Sequence, residues 1–445
     1  VKIGFVTQWY PPEPVFVPGE LARELGVRGH RVRVLTGYPN YPEGRIYPGY
    51  RQRWRTSHTG GENVTVRRVP VYPSHDSSPL GRTANFASFA ATSALFAPGY
   101  LTGADALYVY HPPATAFAAA AVARLARRVP LVLHVQDMWP ESVTASTMSP
   151  GGGAGRMIER ALSATMRRLY RSATAIAVIS PSMAELVVAR GADPGRVRVV
   201  LNWTDERLFR PVPATASARA ALGHRGRCTV MFAGNMGPFQ RIETAIRAAY
   251  AARDRVDLVL VGSGTEEQRA RRLATELGAG NVRFLGRRRP EEMADLYAAA
   301  DYQLVCLRDL PGLRGTVPSK LQAALACGAP VLVSAAGDAA RLVESTGVGL
   351  VCPPEDPTAL AARLVEAAAL PPAARTALRH RAREVYRERM SLRVGADQIE
   401  DLLTKSAVPS AGRSGPATAR RLLGGGGRPA PDREGPERET GTRPR

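Results

Sequence analysis

Residues 317–333 read Val-Pro-Ser-Lys-Leu-Gln-Ala-Ala-Leu-Ala-Cys-Gly-Ala-Pro-Val-Leu-Val. Pro318-Ser319 is a helix-start signal with Ser319 as the expected N-cap, Gly328 stops the helix, and Pro330 leads into a strand. Lys320 then falls in the first turn, where a cation opposes the helix dipole unless it neutralises an anion. That mismatch points to a bound diphosphate, flanked by Ser319 and Leu321. A solvated lysine on an ordinary helix is the plainer alternative.

Other strand-to-helix turns offer related chemistry. Gly234-Asn235-Met236-Gly237-Pro238-Phe239-Gln240-Arg241 combines backbone N–H groups with an arginine suited to phosphate. Gly262 opens a Gly-x-Gly turn, and Phe284-Leu285-Gly286 could present backbone groups to a nucleobase edge. In the first half, His134, Asp137, Trp139 and Glu141 share one loop after a strand, more functional groups than a turn requires. Trp139 could lie against a sugar face or anchor the core. His134 could equally be a satisfied core histidine. Tyr10-Pro11-Pro12-Glu13 follows the first strand, where a parallel sheet meets ligands. No Gly-x-Gly-x-x-Gly occurs, so a dinucleotide fingerprint is missing.

The elements that must position these residues alternate short Val/Ile/Leu runs with helical patterns, as in a parallel α/β sheet buried on both faces. Strands are expected at 2–7, 31–36, 106–110, 131–135, 175–179 and 197–201. After a Pro/Ala-rich break at 209–218 the pattern restarts, with strands at 228–233, 257–261, 282–285, 302–306, 331–334 and 349–352. Two Rossmann-like α/β domains follow, at 1–208 and 209–385, with the expected site in the cleft between their strand ends. A long amphipathic region, 374–403, is expected to cross back to the first domain through its 386–404 segment. The Gly/Pro/Arg-rich stretch 405–445 has too little apolar content to order itself.

Composition narrows the classes. The 445 residues are 44% apolar, ordinary for a globular protein. Four scattered cysteines without a Cys-x-x-Cys pair argue against zinc and against a disulfide framework, and read as small buried residues. The opening Lys2-Ile3-Gly4-Phe5-Val6-Thr7 reads as a strand rather than a charged leader, so a cytoplasmic location is expected. The apolar stretch 86–101, broken by Ser88, Thr92, Ser93, Pro98 and Gly99, suits a buried or surface-docking helix rather than a membrane span. A net charge of +21 calls for an anionic partner, although the excess of Arg over Lys also fits a compositional bias. No zinc-finger or RNA-binding aromatic signature supports specific nucleic-acid recognition. Residues 156–170 set four arginines beside apolar residues, a basic amphipathic helix that could meet an acidic leaflet or simply pack.

Together the segments resemble the GT-B-fold retaining glycosyltransferases of family four, and are similar to the colanic-acid and O-antigen transferases. The resemblance rests on the order of Tyr10-Pro11-Pro12-Glu13, Arg28-Gly29-His30, Thr36-Gly37-Tyr38-Pro39-Asn40, Asp137-Met138-Trp139-Pro140-Glu141, Asn202-Trp203, Gly234-Asn235-Met236-Gly237, Phe284-Leu285-Gly286 and Pro318-Ser319-Lys320 through Gly328-Ala329-Pro330. It implies transfer of a sugar from a UDP- or GDP-linked donor to a hydroxyl acceptor, with retention of configuration and no metal or other cofactor. By analogy Gly234, Asn235, Gly237, Gln240, Arg241, Gly262, Ser319, Lys320 and Leu321 would meet the donor, and Phe284, Leu285 and Gly286 the base. His134, Asp137 and Lys320 would be catalytic. Tyr10, Glu13, Trp139 and Glu141 would face the acceptor, a lipid-linked glycan or a small molecule. A lipid-linked acceptor would bring peripheral contact with an anionic membrane. The chain departs from the family pattern where Gly315 and Ala323 replace paired glutamates, and where Asn235 and Gln240 replace an Arg/Lys pair. Pro14-Val15-Phe16-Val17 replaces a double glycine. A nucleotide-sugar epimerase of the same fold and a non-catalytic anion- or membrane-binding relative are the alternatives.

Overall fold

The computed structural model describes residues 1–54, 56–74, 79–126, 128–138 and 152–407. Trp139, Glu141 and the expected disordered tail beyond residue 407 lie outside them, whereas Lys405 and Ser406, expected in that tail, close the last helix.

The first sheet has eight strands: β1 (Lys2–Val6), β2 (Arg31–Gly37), β3 (Thr56–Gly61), β4 (Val64–Val69), β5 (Ala106–His111), β6 (Leu131–Val135), β7 (Ala175–Val178) and β8 (Val197–Val199). Their order is β3-β4-β2-β1-β5-β6-β7-β8. All pairs are parallel except β3 with β4, and Ile3 of β1 lies between Val32 and Ala106. The second sheet holds β9 (Cys228–Ala233), β10 (Val256–Val261), β11 (Val282–Gly286), β12 (Tyr302–Cys306), β13 (Val331–Ser334) and β14 (Gly349–Cys352). Its order, β11-β10-β9-β12-β13-β14, is all parallel. Strand order reverses at β1/β5 in one sheet and at β9/β12 in the other. The loops after β1 and β9 therefore leave at the positions where open α/β sheets bind ligands.

The β3–β4 hairpin was not expected from sequence. Residues 56–61 are Thr, Ser, His and Gly, carry no apolar run, and form an edge strand that is half-buried or exposed throughout. The single helix expected over 374–403 is two helices, Pro372–Arg389 and Leu392–Ser406. Ser391 breaks it: its backbone is extended and its hydroxyl accepts the Val394 N–H at 3.4 Å. The later helix packs on the first sheet's core, where Ala396, Ile399 and Leu403 are fully buried beside Phe5, Tyr108 and Trp203. Gly395 is required there, because a Cβ would come within 2.4 Å of the Trp203 ring.

The Gly152–Ser172 helix spends Met166, Leu169 and Tyr170 on the core beneath the first sheet. Its arginines Arg167 and Arg168 are exposed. Met157, at the other end of the described side chains, stays exposed. All four cysteines are free and buried.

The two lobes meet, among other places, at a polar seam. Ser180 caps the Pro181–Ala189 helix by accepting the Met183 N–H, and its hydroxyl donates to the Gly315 carbonyl at 2.7 Å. The Ser182 N–H donates to buried Asp338 of the other lobe at 3.0 Å. Gly315 thus packs against the first lobe, with the Ser182 Cβ 3.5 Å from where its own Cβ would stand.

Candidate nucleotide-binding site

Three loops at the carboxyl ends of the second sheet are tied into one surface by backbone hydrogen bonds. The Gly234 N–H donates to Val261 O and the Met236 N–H to Ser263 O, both at 2.9 Å. The Gly262 N–H donates to Gly286 O at 2.8 Å. The fit excludes side chains: a Cβ on Gly262 would lie 2.0 Å from Gly234 O, and one on Gly264 2.4 Å from Met236 O. Gly234 and Gly262 also have φ of 137° and 127°, open to glycine alone at little cost.

Onto this surface comes Lys320, one of only three lysines in the chain. It occupies the first turn of the Ser319–Ala326 helix. Ser319 is the first helical residue rather than the N-cap: Pro318 holds that place, and no side chain caps the terminus. The Lys320 stem runs in toward β9, so that Nζ stands 4.0 Å from the centroid of the Phe232 ring. A Cβ on Gly234 would be 3.7 Å from Lys320 Nζ. The ammonium is shut off from solvent and has no hydrogen-bond partner. Burial pulls its pKa down from 10.5 to about 8, with Cys306 opposing weakly. A buried cation without a partner is costly, and proteins normally pair or remove such groups. Here the missing partner has a defined place, beside the Gly234 turn and an uncapped helix N-terminus. Both favour an anion.

The remaining donor-side residues divide by what they touch. Asn235 is exposed at the surface of the turn. Gln240 is spent inside the loop, accepting the Gly237 N–H at 3.1 Å. Arg241 starts the Ile242–Ala251 helix with φ 44°, a left-handed conformation costly for a non-glycine residue. Its guanidinium pairs with Glu355 at 2.8 Å, and Glu355, itself at φ 59°, also accepts the Asp309 N–H at 3.0 Å. Sequence reasoning missed Glu355; its signal was a carboxylate directly after the last strand's carboxyl end. Phe284 is half-buried under the Arg271 guanidinium, 4.4 Å from its ring centroid, and Leu285 packs on the core. Gly286 gives its carbonyl to Gly262. Leu321 is wholly buried and its N–H is bonded to Pro318 O, so it supports the helix rather than meeting a ligand.

In the first lobe most of the candidate groups are internally satisfied. His134 lies inside β6 at 0% exposure. Its Nδ1 is 2.6 Å from Tyr108 Oη and its Nε2 is 2.8 Å from Gln136 Nε2. Gln136 and Asn202 exchange amide hydrogen bonds. With Gln136 Nε2 as donor, Nδ1 carries the imidazole proton and Tyr108 accepts it. Burial drops the His134 pKa to about 3, so it stays neutral. His134 is thus a core histidine that orients Gln136, not a group facing the cleft.

Glu13, 3% exposed, accepts backbone N–H bonds from Tyr10, Asn40 and Tyr41 at 2.9–3.0 Å. It clamps the loops after β1 and β2 together. Burial raises its pKa, against those three N–H bonds and nearby Arg68, and Tyr10 is itself core. Asp137, by contrast, is exposed at the end of β6, where it accepts the Met138 N–H at 3.0 Å. Among the described residues no group of three or more His, Cys, Asp or Glu is placed to hold a metal ion.

Comparison with known proteins places both halves in one class. Residues 16–203 match the glycosyl transferase 4-like domain, and residues 227–369 match glycosyl transferases group 1. The putative colanic acid biosynthesis glycosyl transferase WcaI of Escherichia coli K12 is 27% identical over 368 residues, covering 79% of this chain and 88% of that one. A D-inositol 3-phosphate glycosyltransferase of Acidothermus cellulolyticus is 28% identical over 364 residues, 76% of this chain and 74% of its own. Among solved structures, Anabaena HepE in complex with UDP-glucose superimposes with a TM-score of 0.62 at 20% identity, covering 91% of this chain and 99% of that one.

Proposed function

We propose that this chain, which belongs to the GT-B-fold glycosyltransferases and is related to the family-four-like colanic-acid and O-antigen enzymes, takes its sugar from a UDP-linked donor seated on the second lobe. Its activity is transfer of a sugar from a nucleoside-diphosphate sugar to an acceptor. The observation that carries the donor assignment is the buried, unpartnered Lys320 ammonium beside Gly234 and the uncapped Ser319–Ala326 terminus. UDP is chosen because HepE, a relative in fold, is known in complex with UDP-glucose.

In this reading the diphosphate completes the coordination of Lys320. As the C1–O bond to the diphosphate breaks, charge grows on the leaving oxygen, and fixed donors there stabilise the transition state most. The Gly234–Gly237 turn supplies backbone N–H groups, Phe284 to Gly286 meet the base, and Asp137 lies toward the acceptor. A hydroxyl acceptor forms the new C1–O bond on the face the diphosphate leaves, passing its proton to the departing phosphate oxygen. Configuration is then retained. The acceptor is a glycan or lipid-linked glycan in polysaccharide assembly, on the cytoplasmic side.

A thermal-shift screen of UDP, GDP, dTDP and ADP tests the donor, since a ligand selective for the native state raises Tm. UDP is expected to give the largest rise; no rise with any of the four sinks the assignment. NMR of the product's anomeric coupling tests retention.

A further inference from the structure

The Pro79–Tyr100 helix turns an apolar face outward. Leu80, Ala84, Ala87, Ala91, Leu95 and Pro98 are all exposed, Leu80 at 82% and Leu95 at 69%. Their spacing of three and four residues puts them on one side of the helix, a stripe about 27 Å long. Of its 22 residues only Arg82 is charged. One flank continues the apolar surface: Trp54, 60% exposed, contacts the Phe96 ring with centroids 6.1 Å apart. Tyr72, 55% exposed, is held beside the helix by its N–H bond to Ser88. Cations border that flank. Arg51 and Arg53 are exposed and in no ion pair among the described residues, and Arg67 stacks on Phe96 and Tyr100.

The helix also begins at the site's edge. Asn85 bonds to Gln8 after β1 and to Asn40 after β2, and Phe86 meets the Trp9 ring. Among the described residues no helix is long and apolar enough to cross a membrane. An apolar stripe bordered by aromatics and arginines, too interrupted to span, suits the interface of an acidic bilayer.

We infer that this helix face, with Trp54 and Tyr72, docks the protein on an anionic phospholipid surface, its stripe among the acyl chains and Arg51 and Arg53 at the headgroups. The cleft then opens at the membrane plane, where an acceptor carried on a lipid would arrive; that last step rests on the glycosyltransferase assignment, the docking does not. The face differs from the basic Gly152–Ser172 helix, whose Met166, Leu169 and Tyr170 are already buried.

The test is co-sedimentation of the full chain with vesicles of phosphatidylcholine alone or mixed with phosphatidylglycerol. The wild type is expected to pellet with the mixed vesicles, and Leu80→Glu/Leu95→Glu to bind at least about tenfold more weakly. Because both leucines are exposed, the variant should keep the wild-type Tm and its rise with UDP. A blue shift of tryptophan emission on adding vesicles should vanish in Trp54→Phe. A wild type that stays in the supernatant overturns the proposal, as does a double variant that pellets like wild type. So does loss of binding confined to Arg156→Glu/Arg160→Glu. A wild-type dimer that the leucine variant converts to monomer assigns the face to a second copy instead. Pelleting without any UDP shift sinks the donor reading and leaves the docking face standing.

Discussion

The strand ends of the two lobes are built from similar materials and used in opposite ways. In the first lobe the buried polar groups nearest the cleft are satisfied by the protein: Glu13 by three backbone N–H groups, His134 at both ring nitrogens. In the second, the buried Lys320 ammonium lies against the Phe232 ring and has no hydrogen-bond partner. Burial alone does not separate structural from functional residues, since all three are buried. Satisfaction does. A polar group whose hydrogen bonds close within the fold holds loops in place, whereas one left open beside a turn and a helix terminus is a candidate place for a ligand.

Substitutions at four positions sharpen or break that contrast. Glu13→Ala should have the largest effect, stranding three backbone N–H groups and costing about 3 kcal/mol of stability. Denaturant unfolding measures it; UDP affinity of the folded fraction should not move. His134→Leu should cost about 2 kcal/mol by leaving the buried Tyr108 hydroxyl unpaired and removing one of the hydrogen bonds of Gln136, again with donor affinity intact. Donor affinity or retained-configuration transfer that collapses in folded His134→Leu would return it to the active site.

Lys320→Met should do the reverse. Donor affinity or turnover should fall roughly tenfold or more, through lost stabilisation of the diphosphate. Stability without ligand should rise, because an uncompensated buried cation is gone. A Lys320→Met protein that binds UDP like wild type, or that is less stable, breaks the contrast. The same lysine sets a pH dependence. Its pKa in the free protein is depressed to about 8, below its unfolded value of 10.5, so the unfolded chain binds more protons between those values. The lysine's contribution to stability therefore rises with pH across that window. Donor affinity should fall above about pH 8, where the free protein loses the charge, and Lys320→Arg should remove that fall if it binds. Calorimetry with UDP across pH would read both.

Arg241→Gly is the smallest effect. It relieves a left-handed φ of 44° but gives up the ion pair to Glu355. Relief is worth about 1 kcal/mol and a half-exposed pair less, so stability should rise slightly. A clear loss of UDP affinity in this variant would put Arg241 in contact with the donor despite its pairing.

Sequence carried the sheets well because their strands are buried on both faces and read as uninterrupted Val/Ile/Leu runs. It missed the β3–β4 hairpin, since β3 has exposed Thr and His residues and no such run and β4 interrupts its valines with Thr65, Arg67 and Arg68, and it joined two helices that Ser391 separates by capping the second. At the site, Lys320 was legible because a cation in a first turn is anomalous on its own. His134 was not, since its partner Tyr108 lies 26 residues away and the Asn202 that holds its other partner, Gln136, lies 66 residues from that glutamine, and only the fold brings them together. Glu355 was hidden for the same reason: its partner Arg241 stands more than a hundred residues earlier.

The Leu392–Ser406 helix bears on how the protein is made. On the ribosome, domains usually fold in the order they emerge. Here the second lobe has its full complement of core residues once Met390 is out, while the first still lacks Ala396, Ile399 and Leu403. The half that is synthesised first is thus completed last, with the Trp203 ring uncovered until Gly395 arrives. Any nascent or cleaved chain ending before residue 392 would present that open core to chaperones and proteases, although its second lobe is whole.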